Sequence, residues 1–155
     1  EIVPQAILAV EDSRFYQHEG LDYIGLTRAV VVNLLLNKKS QGASTITQQL
    51  VKNLILNNSE KTYNRKAREA LRALALEKKL EKKELIELYM NEVYLGQVNG
   101  RPVIGVSQAA EVYFGKQVDR LSIGEAGMIA GIISAPNAYS PSRHPERARK
   151  RPRAL

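Results

Sequence analysis

The sequence predicts an all-α protein. Two capping boxes, Thr45-Ile46-Thr47-Gln48 and Ser122-Ile123-Gly124-Glu125, each open an apolar helical run. Between them, Ala67, Ala70, Leu71 and Leu74 share one helical face, and glycines stand where such runs should stop. Pro4 suits the first turn of a helix expected to reach about Tyr16, with Gly20 as the break. A second helix is expected from about Tyr23 to Asn37, followed by the polar connection Lys38 to Ala43. Thr45 opens a third, running to about Leu56, and Asn57-Asn58-Ser59 separates it from a long helix starting near Lys61. Lys82 to Leu95 reads as another helix with Gly96 as its C-terminal stop, and Asn99-Gly100 as a turn, in a loop or a small hairpin. Val106 to Phe114 is a short helix ended by Gly115, and Ser122 introduces the last, to about Ser134. Its Gly124, Ala126, Gly127, Ala130 and Gly131 allow neighbours to approach closely.

At 155 residues the chain has the size of one domain, and its 44% hydrophobic and 25% charged content suits a packed core rather than disorder. It begins at Glu1 and stops inside a basic run, so it reads as a piece of a longer protein. There are no cysteines, which excludes disulfides and thiolate metal sites, and the two histidines, His18 and His144, are too far apart to suggest an imidazole site. The net charge of +7 is uneven, since Arg143 to Leu155 holds six Arg or Lys against one Glu. Such a run is a solvated tail or a phosphate-facing one. No apolar stretch reaches the 18 or so residues that span a bilayer. Ala29 to Leu36 comes nearest, and reads as a core helix or as one lying in a membrane interface.

Glu11 is the first candidate for chemistry. At about 100° per residue, Ile7, Leu8, Phe15 and His18 project within roughly 60° of it, which puts a carboxylate on an apolar stripe. Desolvation there would raise its pKa, as a proton acceptor working near neutral pH requires. The alternative is a partly exposed glutamate at a fraying helix end. Gly42 to Asn53 is the second candidate. Gln48, Gln49 and Lys52, spaced three and four apart, share a face beside the N–H groups of a helix start, a setting for phosphate. Simple helix capping by Thr45 and Gln48 is the competing account. Glu69, beside Arg65 and Lys66, reads first as a surface ion pair.

Four motifs in order change the weight of these readings: Glu-Asp-Ser-Arg-Phe-Tyr-Gln-His-Glu-Gly, Gly-Ala-Ser-Thr-Ile-Thr-Gln-Gln, Arg-Lys-Ala-Arg-Glu and Tyr-Met-Asn-Glu-Val-Tyr-Leu-Gly. Together they resemble the peptidoglycan glycosyltransferases of family 51, the glycan-polymerising domains of bifunctional class A penicillin-binding proteins and their monofunctional relatives. The resemblance covers nearly the whole chain, and Tyr89 to Gln97 looks most like the type 1b enzymes. Position by position, it implies Glu11 as catalytic base, with Asp12, Phe15 and His18 in the same motif. Gly42, Ser44, Thr45, Gln48 and Gln49 match the second motif, followed by Lys52, similar to a phosphate-contacting lysine. Arg65, Lys66 and Glu69 match the third, with Glu69 as second acidic residue, and Lys82, Tyr89 and Asn91 match the fourth. The fifth fits less well: Lys150 and Ala154 depart from the family's Arg and Val, Pro152 is foreign to a helix, and Arg151 alone is carried over.

The resemblance implies a larger lysozyme-like helical lobe plus a small mobile membrane-facing lobe at about residues 25–57, with a cleft between them. It implies polymerisation of lipid II: the acceptor's GlcNAc 4-hydroxyl attacks the anomeric carbon of the lipid-linked donor chain, forming a β-1,4 bond with inversion. A sugar hydroxyl needs a base, whereas diphosphate leaves readily and needs charge neutralisation, which Lys52, Arg65, Lys66 and a divalent cation, Mg2+ or Mn2+, could supply. Glu69 would orient those cations or help hold the metal. The expected partners are lipid II, the growing lipid-linked glycan, the membrane surface, a C-terminal transpeptidase domain and the inhibitor moenomycin. The expected location is the outer, periplasmic face of the bacterial cytoplasmic membrane, with an anchoring transmembrane helix outside this sequence. A lytic, lysozyme-like enzyme would share the fold but leave the cations unexplained. A nucleic-acid-binding module, suggested by a pI of about 9.7, is disfavoured because the strongest positive run lacks aromatic residues.

Overall fold

The computed structural model describes residues 2–35, 44–56 and 62–136. Among them are seven α-helices and one two-stranded hairpin, in two compact units: Glu1–Ser13 with Ile86–Leu155, and Arg14–Leu85. The helices are α1 (Ile2–Glu11), α2 (Tyr23–Leu35), α3 (Ile46–Val51), α4 (Tyr63–Glu77), α5 (Lys82–Glu92), α6 (Val106–Phe114) and α7 (Ile123–Ser134). The hairpin joins β1 (Tyr94–Val98) to β2 (Arg101–Ile104). The all-α expectation therefore holds, in keeping with a lysozyme-like fold.

In the first unit, α7 is the central element. It buries Ala126, Gly127, Ile129, Ala130, Gly131, Ile132 and Ile133, so it is apolar nearly all round, as an enclosed helix must be. Its small residues let α1 pack along it through the buried Val3 and Ile7. The capping box at Ser122 forms as expected: Glu125 N–H donates to Ser122 Oγ at 3.3 Å, and Ser122 N–H to Glu125 Oε2 at 2.8 Å. Gly115, at φ 63°, closes α6 in the left-handed conformation.

The first helix was expected to run to Tyr16, but it ends at Glu11. Asp12 N–H makes the last bond back to Leu8 O, and a separate 3-10 turn, Phe15–Gln17, closes with Gln17 N–H on Arg14 O at 2.7 Å. Asp and Ser at 12 and 13 favour turns over helix, which explains the break. The stripe projected from Ile7 to His18 thus stops at Glu11. The fifth helix was expected to reach Leu95 with Gly96 as its cap, but α5 ends at Glu92. The residues beyond it find strand partners instead. Gly105 N–H donates to Val93 O at 2.8 Å, and Tyr94 pairs with Ile104. Gly96, at φ 112°, sits in an irregular stretch of the pairing between Tyr94 and Gln97. Asn99 and Gly100, at φ 51° and 79°, make the two-residue hairpin turn that an Asn-Gly pair favours.

In the second unit, α3 packs on α4. α3 buries Ile46, Thr47, Gln48, Leu50 and Val51, and continues as a π-helical turn, Lys52–Leu56, where a single α-helix was expected. α4 starts under the cap of Thr62, whose side chain accepts from Arg65 N–H at 3.2 Å. α2 buries only Ala29. Leu34 and Leu35 are 75% and 79% exposed, so the core-helix reading of Ala29 to Leu36 fails for the described part. Asp22 anchors the start of α2, accepting Gly25 N–H at 2.9 Å while pairing with Arg14 at 3.2 Å. Burial alone would raise the Asp22 pKa. That bond and the nearby charges of Arg14 and His18 outweigh it and hold the carboxyl below its usual range. No helix among the described residues is long and apolar enough to cross a membrane. The lobe expected at about 25–57 falls inside this unit.

Candidate active site

Glu11 is the last residue of α1, and the packing of α1 on α7 brings it to the end of that helix. There Ser134 Oγ donates a hydrogen bond to Glu11 Oε1 at 2.7 Å. Glu11 is half-buried. Ser134 stands 123 positions away and nothing in its local sequence marks it. Asp12, the next residue, is buried at 7% exposure.

Tyr89 reaches the same neighbourhood from α5. Its burial first, and then the negative charges of Glu11 and Asp12, push its phenol far above its ordinary value of 10.0. The neutral phenol is thus favoured in the folded state. Its contribution to stability is complete below the unfolded pKa of about 10 and is lost as pH rises above it. Urea unfolding between pH 9 and 11 should therefore show stability falling less steeply in Tyr89→Phe than in the parent chain. Asn91 is exposed, near the end of α5, and its carbonyl oxygen would lie 2.6 Å from a Cβ added at Gly105. Gly105, at φ 80°, is required there on both counts.

The other candidates lie in the second unit. Glu69 is 2% exposed, so it is not the surface partner that its sequence neighbours suggested. Arg65 Nη1 donates to its Oε2 at 2.9 Å, and Lys66 Nζ donates to its Oε1. The same Nζ donates to Ser44 Oγ at 2.9 Å, joining the third motif to the second. Two cations thus flank one buried anion, and the Lys66 side chain remains 46% exposed. Both Glu69 oxygens are occupied by these donors, and among the described residues no group of three His, Cys, Asp or Glu could hold a metal ion. A divalent cation at Glu69 would share the carboxylate oxygens with Arg65 and Lys66.

Thr45 and Gln48 do cap α3. Gln48 N–H donates to Thr45 Oγ1 at 3.2 Å, and Gln48 Oε1 accepts Thr45 N–H at 3.1 Å. Thr45 Oγ1 also donates to Gly20 O at 2.6 Å. Gln48, Gln49 and Lys52 do not share one open face, because Gln48 is buried, Gln49 half-buried and Lys52 exposed. The bond to Thr45 draws the Gln48 side chain inward. Phe15 is buried, with the half-buried His18 ring edge-on at 6.2 Å and Lys82 Nζ 4.4 Å above its own ring. Gly42, His144 and Arg151 lie outside the described residues.

One residue escaped the sequence reading within this unit. Glu77, the last residue of α4, accepts Thr47 Oγ1 at 2.6 Å and pairs with Lys82 at 2.7 Å. Its spacing from Glu69 and Ala73, four residues at each step, was a usable signal of a buried stripe.

The sequence profile of the transglycosylase family matches residues 1–155. Over 151 residues the chain is 48% identical to penicillin-binding protein 1A of Neisseria lactamica, covering 97% of this chain and 18% of that protein. The protein of the same name from Neisseria gonorrhoeae is 46% identical over the same shares. A protein of Cupriavidus necator that carries the name of an inferred transglycosylase is 49% identical over 146 residues, 94% of this chain and 61% of that protein. The chain thus spans less than a fifth of the penicillin-binding protein 1A relatives. Those relatives carry the type 1A name, and the likeness stands at the level of class A. The chain belongs to the transglycosylase family, as a family 51 glycosyltransferase domain of the kind found in class A penicillin-binding proteins.

Proposed function

We propose that this chain polymerises lipid II into glycan strands by inverting transfer. The observation that carries the proposal is the cluster at Glu69: two cations share one buried anion, with a net positive charge and a half-exposed lysine. Such a cluster suits a leaving diphosphate better than a leaving sugar alkoxide, which would need a proton donor. Glu11 accepts the proton of the acceptor's GlcNAc 4-hydroxyl. The hydroxyl oxygen forms the β-1,4 bond to the anomeric carbon, the carbon–oxygen bond to the diphosphate breaks, and lipid diphosphate departs. The Ser134 hydrogen bond orients one oxygen of that carboxylate.

Arg65 and Lys66, with Lys52, neutralise the diphosphate, and Glu69 holds the first two in place. Mg2+ or Mn2+, in this reading, is brought by the substrate diphosphate. Asp12, Phe15, His18, Ser44, Thr45, Gln48, Gln49, Tyr89, Asn91 and Arg151 complete the substrate-binding set. The exposed apolar residues of α2, Tyr23, Ile24, Leu34 and Leu35 among them, support a lobe that borders the membrane on its outer face. The identity to proteins several times longer supports a transpeptidase domain and an anchoring helix elsewhere in the full protein, and moenomycin as a ligand of this site. Incubation with lipid II in detergent should yield polymer. Failure on lipid II together with cleavage of preformed glycan would establish the lytic activity instead.

A further inference from the structure

We infer that Glu77 is a positioning residue, tying the first, second and fourth motifs into one rigid frame around the cations that receive the diphosphate. The inference rests on the polymerase reading above. The Glu77 carboxylate is 4% exposed, and its two oxygens are engaged by groups from different motifs. Thr47 Oγ1, from α3, donates at 2.6 Å, and Lys82 Nζ, at the start of α5, sits at 2.9 Å from Oε1 and 2.7 Å from Oε2. Lys82 in turn lies 4.4 Å above the buried Phe15 ring.

The contacts close into a ring. A Cβ added at Gly20 would meet Ala73 O at 3.0 Å and Glu77 Cγ at 3.2 Å, so the loop after Phe15 lies directly on the last turns of α4. Gly20 O accepts from Thr45 Oγ1, two residues before Thr47. The path runs from Gly20 through Thr45 and Thr47 to Glu77, then through Lys82 to Phe15 and back to Gly20. Glu77 is its only carboxylate and the point where three segments distant in sequence converge. Ser44, which receives Lys66, adjoins Thr45, so a shift of α3 would move a partner of that lysine. Small displacements of groups aligned on a reacting centre have large effects on rate and small ones on ground-state binding.

The test uses two variants. Glu77→Gln keeps an oxygen for Thr47 but leaves Lys82 without its anion. Glu77→Gln with Lys82→Met removes both charges, restores the balance of the buried site and keeps an unbranched chain over Phe15. Polymerisation of lipid II is measured per folded molecule, counted by circular dichroism. In both variants kcat should fall about tenfold or more while the KM for lipid II stays within about threefold of the parent. A kcat within about threefold of the parent in either variant overturns the inference; in the double variant it would mean that Glu77 only neutralises Lys82. A parent chain that makes no polymer refutes the polymerase reading and not the frame.

Discussion

Glu11→Gln is expected to reduce lipid II polymerisation by about 10²–10⁴-fold, the usual contribution of a positioned general base. The amide oxygen can still accept the Ser134 hydroxyl, so the end of α1 keeps its contact with the end of α7 and the thermal midpoint should be nearly unchanged. What disappears is the ability to take up a proton. The measurement is the initial rate of polymer formation alongside thermal unfolding of the same sample. Retention of more than a tenth of the parent rate in a folded variant would remove Glu11 from the role of base.

Glu69→Gln should affect both stability and rate. Removing one partner of a buried ion pair costs about 3–5 kcal/mol when the charge left behind is fully enclosed. Here the Arg65 side chain is 15% exposed and that of Lys66 46%, so water can reach both cations and the lower end applies. A loss of about 3 kcal/mol lowers the thermal midpoint of a chain of this size by about 6–12 °C. The rate should also fall at a temperature where the variant is still folded, because Arg65 and Lys66 lose the anion that aims them. Full activity in Glu69→Gln, with the expected drop in midpoint, would reduce Glu69 to a structural partner.

These effects differ because the two glutamates are held differently. Glu11 sits at a helix end with a neutral hydroxyl as donor, and an amide can replace it in shape. Glu69 is buried and counterbalances two full charges, which an amide cannot do.

Local chemistry made most of the fold legible. The capping boxes at Thr45 and Ser122, the left-handed glycine at 115 and the Asn99-Gly100 turn depend on residues within a few positions of one another, and all four formed. The small-residue face of the last helix was likewise readable, since close helix packing demands it. The failures occurred where neighbours remote in sequence decide the conformation. Tyr94 and Leu95 carry on a helical pattern, yet they become a strand because Val93 and Tyr94 find partners at Gly105 and Ile104. The break after Glu11 stands in the type of residues at 12 and 13, and the periodicity of the apolar positions masked it.

The same division applies to the candidate site. Residue types and motif order were enough to propose Glu11 as a base and Glu69 with its cationic neighbours as a cluster suited to a diphosphate leaving group. Partnership was not readable in advance, and burial only in the four-residue spacing of Glu69, Ala73 and Glu77. Glu69 looks like any exposed i,i+3 and i,i+4 ion pair until folding buries it, and Ser134 and Thr47 are ordinary hydroxyls until folding brings them to Glu11 and Glu77. Hydrogen bonds and desolvation depend on distances across the folded chain, and those arise only when helices far apart in sequence pack against one another.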